Sequence, residues 1–239
     1  MDSERVRNDF GMRDYDPENR EIRKIVMETN PRGKRVLVVG SYGVVSIAPM
    51  IERWAKSVVA VNSNKEVIQC CKKMKSEVEY IEGDIGSMPF EDKSFDVVIS
   101  CLSGLHINND RSRILRELKR VLDDKGVLFI QEVDEHGQFS KFLDNFAPLD
   151  SVKLRDKKEE LKKILEKEFK ITVTGFRTYY LFKDLSDMKR AILKEVVQGR
   201  GKSSSKSLEE SVSKFVETMP VKKFIKVGEA MTIFVCEKH

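Results

Sequence analysis

The sequence predicts an α/β fold, a mainly parallel sheet with helices on both faces. Two observations carry this. Short, continuously apolar, β-branched runs recur, as in Arg35–Gly40 (RVLVVG), Ser57–Val61 (SVVAV) and Phe95–Cys101 (FDVVISC), and such runs suit strands buried on both faces. Between them lie segments with helical apolar spacing, about ten residues each, which imply right-handed crossovers between parallel strands. The length, 239 residues, suits one α/β domain with a modest insertion, or at most two small domains.

Residues up to Asp16 are polar and without pattern. A helix is predicted from Pro17, with Asp16 as N-cap and Ile22, Ile25 and Val26 on one face. Asn30-Pro31-Arg32-Gly33 ends it. After the first strand, Ile47, Met50, Ile51 and Trp54 mark a helix. The second strand is followed by a helix over Lys65–Lys75, with Val67, Ile68 and Cys71 inward. Val78–Ile81 is the third strand and Phe95–Cys101 the fourth. Asp110 caps the clearest helix, where Ile114, Leu115, Leu118, Val121 and Leu122 form one stripe. After the turn Asp123-Asp124-Lys125 and Gly126, Val127–Val133 is the fifth strand. Beyond residue 135 the rhythm changes. Helices are predicted at Asp156–Glu168, Asp184–Val197 and Leu208–Met219, and strands at Lys170–Tyr180 and Glu229–Cys236.

Composition narrows the function. The apolar fraction of 40% supports a buried core. The net charge of +5 comes from 44 basic against 39 acidic residues, a mixed balance without a strong nucleic-acid signal. The run Lys157 to Lys163 is interleaved with Glu159 and Glu160 and reads as a solvated helix face. Cys70, Cys71, Cys101 and Cys236 form no zinc-type spacing, so no metal site is expected. Free thiols suit a reducing cytoplasm. The charged N-terminus lacks a signal-peptide segment, and no apolar run approaches ~18 residues, so no membrane span is expected.

The segment Glu82-Gly83-Asp84-Ile85-Gly86-Ser87-Met88-Pro89-Phe90-Glu91-Asp92-Lys93-Ser94-Phe95-Asp96-Val97-Val98 resembles the G-D-x-x-x-L-P-F-x-D-x-S-F-D-V-V segment of class I S-adenosylmethionine (SAM)-dependent methyltransferases of the small-molecule type. The resemblance continues through Cys101-Leu102-Ser103-Gly104-Leu105-His106 to Gly126-Val-Leu-Phe-Ile, and covers residues 33–135 well. It implies a Rossmann-like seven-stranded sheet of order 3-2-1-4-5-7-6, the last strand antiparallel, with a small helical insertion before it. It also implies one methyltransferase-like domain over 1–239: an N-terminal helical lid (1–32), a cofactor-binding half (33–135) and a C-terminal half (136–239) with the insertion at 184–219. Tyr179, Tyr180, Phe182 and Phe215 are candidates to line a pocket under that insertion, although aromatics at such spacings more often fill core.

By the same resemblance SAM is the cofactor, bound by Gly40, Ser41, Tyr42, Gly43, Asn62, Ser63, Asp84, Ile85, Cys101 and Leu102. Asp84 would accept from the adenine amino group, and His106 would be a general base or substrate contact. Asp96, at the start of its strand, reads as structural. Two anchors depart from the family pattern. The first loop is Val38-Val39-Gly40-Ser41-Tyr42-Gly43-Val44, where the family has an acidic residue followed by G-x-G-x-G. Only Gly40 matches, Val38 stands at the acidic position, and Tyr42 would put a ring where the cofactor's methionine part lies close to the chain. At the second strand's end Asn62 replaces the acid that accepts the ribose hydroxyls, losing charge-assisted strength. Three readings follow: a methyltransferase acting on a small-molecule substrate, a catalytically inactive relative serving a protein partner, and a pocket adapted to another adenosyl ligand.

Overall fold

The computed structural model describes residues 16–40, 42–103, 105, 110–134, 136–148, 151–199, 201–220 and 224–239. Within them the strands are β1 (Arg35–Val39), β2 (Ser57–Asn62), β3 (Glu79–Glu82), β4 (Phe95–Cys101), β5 (Leu122–Val133), β6 (Phe169–Phe182) and β7 (Ile225–Lys238). The helices are α1 (Arg20–Thr29), α2 (Ala48–Ile51, continuing a wider turn over Gly43–Ile47), α3 (Lys65–Cys71), α4 (Arg111–Val121), α5 (Gln138–Asp144), α6 (Ser151–Glu168), α7 (Leu185–Lys194) and α8 (Lys206–Glu217).

The strands form one sheet of order β3-β2-β1-β4-β5-β7-β6. β1 to β5 pair in parallel, and β7 runs antiparallel to both β5 and β6. This is the order, with the reversed last strand, that the resemblance implies.

Alternation along the strands divides the core. Val36, Val38, Ala60, Val97, Ile99 and Phe129 face Ile22, Ile25, Ile47, Ile51, Val67 and Ile68 from α1, α2 and α3. Leu37, Val39, Val98, Leu128 and Ile130 face Leu115, Leu118, Leu161 and Leu165 from α4 and α6. Because both faces are covered, β1 is buried from Val36 through Val39, which explains its unbroken apolar run. A third cluster joins α5, α7 and α8 to the ends of β6 and β7 through Phe139, Leu143, Phe182, Met188, Ile192, Val212 and Val227.

Several boundaries differ from the sequence expectation. The first helix begins at Arg20, not Pro17. Asp16 takes a left-handed φ of 57° and its carboxylate reaches the Glu21 N–H across the turn, so Asp16 still caps the helix, from three residues further back. β5 begins at Leu122. The expected turn is retained as an irregularity inside the strand, because Phe95 pairs with Leu122 while Val97 pairs with Val127. β6 and β7 pair over their whole lengths, from Phe169↔Lys238 to Phe182↔Ile225, and therefore extend past their apolar centres. The seven-residue α5 falls outside the predicted elements. Asp96 is structural, as expected: its carboxylate accepts from the Arg35 backbone N–H and guanidinium at 2.7–3.2 Å, tying β1 to β4.

Candidate functional site

Sheet register brings the predicted site residues to one edge. Val39 lies opposite Val61 on one side and Ser100 on the other. Gly40 therefore emerges between Asn62 and Cys101 at the carboxyl ends of the parallel strands, the edge at which open α/β sheets bind ligands. On β3 the next positions are Glu82, opposite Asn62, and then Gly83, whose N–H donates to the Asn62 carbonyl at 3.0 Å.

The first loop is built around Gly40, with φ +89°. A Cβ there would lie 2.6 Å from the Cys101 carbonyl oxygen, so glycine is required both by conformation and by close approach. Gly43, one place off the family spacing, packs at the start of the following helical turn. Its Cβ would meet Val38 Cγ1 at 3.1 Å and Cys101 Cβ at 3.5 Å. Both glycines thus serve tight contact between the loop, β1 and β4. Ser41 and His106 lie outside the described residues.

Tyr42 turns its ring toward α1, and its hydroxyl donates to Glu21 at 2.5 Å. Glu21 is 3% exposed and also accepts from the Gln131 side-chain amide at the end of β5. Burial pushes its carboxyl up to about 7, against the pull of those two hydrogen bonds. Burial raises the Tyr42 phenol and the Cys101 thiol as well, so both are neutral at physiological pH. Gln131 lies opposite Cys101 in the sheet, and its backbone carbonyl accepts from Leu102 N–H at 2.9 Å. Leu102 itself has a φ of 50°. Next in the strand, buried Glu132 accepts from Leu105 N–H at 2.9 Å and so holds the loop after β4.

On the other flank, Asn62 is buried and its side-chain oxygen accepts from Asn64 N–H at 2.8 Å, while Ser63 is exposed. Asp84 is exposed. One of its oxygens accepts from Gly86 N–H and the other from the Arg113 guanidinium, each at 2.8 Å. The Arg113 guanidinium, then the Gly86 N–H, hold its carboxyl below the usual range. Arg113 lies over Gly86, where a Cβ would meet it at 2.4 Å. Ile85 packs half-buried beside the second core. From α4, Arg120 donates to the Phe90 and Met88 carbonyls at 2.7 and 3.2 Å, and Glu117 accepts from Met88 N–H at 2.7 Å. These two side chains fasten the loop after β3.

Sequence reasoning brought Gly40, Tyr42, Gly43, Asn62, Asp84, Cys101 and Leu102 to this edge but passed over Glu21, Gln131, Glu132 and Arg113. The signal for Glu21 was present. It stands one turn before Ile25, on the apolar stripe of α1, where a carboxylate needs a reason. Gln131-Glu132 likewise interrupts an apolar run at the strand's binding end. The aromatic candidates are mostly core: Phe182 is fully buried, Phe139 lies 4.6 Å from Tyr180, and Phe142 lies 5.3 Å from Phe215. Tyr179 instead donates to Glu18 at 2.9 Å.

Strand order, the reversed last strand and the loops gathered at this edge define a class I SAM-dependent methyltransferase-type domain. Residues 37–130 match the family model described as a methyltransferase domain. A demethylmenaquinone methyltransferase from Thermotoga maritima is 32% identical over 116 residues, 48% of this chain and 49% of that protein. Phthiotriol/phenolphthiotriol dimycocerosates methyltransferase 1 from Mycobacterium ulcerans is 30% identical over 141 residues, 56% of this chain and 51% of that protein. The chain spans about half the length of the curated relatives it matches. Among solved structures, the YcgJ protein from Bacillus subtilis has a TM-score of 0.59 at 17% identity, covering 91% of this chain and 98% of that one, a likeness of fold. Among the described residues, no helix is long and apolar enough to cross a membrane, and no side-chain cluster could hold a metal ion.

Proposed function

We propose that the protein is a SAM-dependent methyltransferase acting on a small-molecule acceptor in the cytoplasm, as one methyltransferase-like unit whose residues 33–135 hold the cofactor. The observation that supports this most is the shared sheet edge: Gly40, Asn62, Asp84 and Cys101 stand at or just past the carboxyl ends of four neighbouring parallel strands. The residues present fit the group. Gly40 keeps the first loop open to close backbone approach, Asn62 and Ser63 face the ribose, and Asp84 with the Ile85 N–H reads the adenine. Cys101 and Leu102 form the wall, and Tyr42 and Gly43 with Ser41 border the methionine end. When bound, the cofactor supplies an electrophilic methyl group. The chain's part is to align an acceptor in line with it, and His106 serves the acceptor's proton. The four free cysteines suit a reducing compartment.

A second reading, an inactive relative that binds a protein partner, is favoured by the occupied acceptors: Asn62 by Asn64 N–H, and Asp84 by Gly86 and Arg113. Calorimetric titration with SAM and S-adenosylhomocysteine decides between them. Micromolar binding supports the enzyme, whereas no heat from either ligand at millimolar concentration excludes it. Asn62→Asp is expected to tighten SAM binding by about 1 kcal/mol, because the second carboxylate oxygen is added while the first still accepts from Asn64. Unchanged affinity would place the ribose elsewhere.

A further inference from the structure

The first strand carries Val38 where the family pattern has an acidic residue, yet the same edge holds a buried carboxylate from a different element. We infer that Glu21 of α1 and Gln131 of β5 form a binding site for an ammonium group, that of the cofactor's amino-acid end. This deepens the proposed cofactor reading and rests on it.

Three observations carry the inference. The first is an orphaned acceptor. Gln131 is fully buried, its amide nitrogen donates to Glu21, and its amide oxygen has no hydrogen-bond partner. The amide cannot gain by turning over, because that would set its oxygen against a Glu21 oxygen. A buried carbonyl without a donor is an uncommon arrangement in folded proteins, and a ligand N–H resolves it.

The second observation is uncompensated acidity. Glu21 accepts from Tyr42 and Gln131, both neutral groups, and the charged or titratable groups that act on it are Asp16, Tyr42 and Cys101. Among the described residues no lysine, arginine or histidine pairs with it. A neutral donor would satisfy Gln131 and leave Glu21 as it is. A cation satisfies both, and a primary ammonium carries three donors for them.

The third is position. Gln131 lies opposite Cys101, whose carbonyl is the atom that Gly40 approaches. Tyr42, the half-buried outer member of the cluster, follows Gly40 in the same loop. The cluster therefore lies beneath the first loop, at the end away from Asp84. An ammonium entering past Tyr42 takes over the place of the phenol's hydrogen bond to Glu21. The acid absent at Val38 is thus supplied from α1, on the same face of the sheet as Val38.

The test compares two ligands that differ only in this group, S-adenosylhomocysteine and its deaminated analogue, by calorimetric titration. Wild-type protein is expected to favour the amine by about tenfold or more, the range of one charge-assisted contact. Glu21→Gln and Gln131→Met should each cut that preference at least threefold while leaving the deaminated ligand's affinity within about twofold, and if Glu21→Gln does not fold, Gln131→Met carries the test. Equal wild-type affinity for both ligands, or an undiminished preference in the folded variants, overturns the inference and leaves the cofactor reading standing. Failure of the wild type to bind either ligand overturns both.

Discussion

Among the described residues, Glu21 and Glu229 are the buried carboxyls pushed up to about 7 from the ordinary 4.5, in each case chiefly by burial. Glu229 is held by Ala230 N–H and Ser140, and Gly137 leaves it room, since a Cβ there would fall 1.2 Å from a Glu229 oxygen. A carboxyl raised in the folded state stabilises the fold fully below its unfolded value, and that stability is lost as pH rises through the folded value. Between pH 5 and 8 the melting temperature is therefore expected to fall. Thermal unfolding of Glu21→Gln should show a shallower fall, by an amount on the order of 1–3 kcal/mol across the window. Asp134, held down to about 2 by hydrogen bonds from His136 N–H, Thr232 and the His136 ring despite its burial, works in the opposite sense only at more acid pH. An identical slope in wild type and variant would mean that Glu21 ionises in the fold as it does in the open chain. None of these shifts was legible in the sequence. Glu21 and Gln131 are 110 positions apart, and only the packing of α1 against the sheet brings them together.

At the level of elements, the sequence was most legible where one physical demand ruled the whole segment. β1, β2 and β4 are buried on both faces, so their apolar runs end within a residue of the strand ends. α4 was legible for the same reason, with Ile114, Leu115, Leu118 and Val121 all buried. It failed where tertiary pairing set the length. β7 carries Lys226, Glu237 and Lys238 into the sheet because β6 supplies a partner for each. The loop after β3 shows how an element can act on the site without lining it, since Arg120 and Glu117 of α4 grip Met88 and Phe90. Arg120→Ala is expected to destabilise the fold by about 1–3 kcal/mol and to weaken SAM or S-adenosylhomocysteine binding several-fold. Urea unfolding and calorimetry on the same variant check both effects. A loss of stability with unaltered affinity would show that the loop keeps its shape without the clamp.

At the scale of the whole molecule, the buried side chains of the described residues form three cores rather than one. Two sandwich the sheet, and the third, under α5, α7 and α8, reaches it only at the ends of β6 and β7. Regions joined through so few elements open by themselves at lower free energy than the global transition. Amide hydrogen exchange is therefore expected to be faster in α7 and α8 than in β1, β4 and β5. Equal protection throughout would show that the three cores unfold as one. The helices within 184–219 were legible from their apolar spacing, but their separate core was not, because the aromatic residues that fill it have the spacing of a pocket lining as well.

The short stretch before α1 has a second allegiance. Asp16 N–H donates to the Tyr179 carbonyl, Arg20 to the Arg177 carbonyl, and Thr178 to the Asp16 carboxylate. These carbonyls belong to β6, the outermost strand, whose stretch from Ile171 to Phe176 carries neither charge nor proline. An outer strand left bare is a template for pairing with other chains. The residues that deliver Glu21 to its place therefore also hem the sheet's open margin. A change at Asp16 has two consequences at once: it loosens the carboxylate's mooring and bares a longer seam for self-association. A substitution in this stretch is therefore expected to show in self-association as well as in the seating of Glu21, although 157 positions separate Arg20 from Arg177 of the strand it covers.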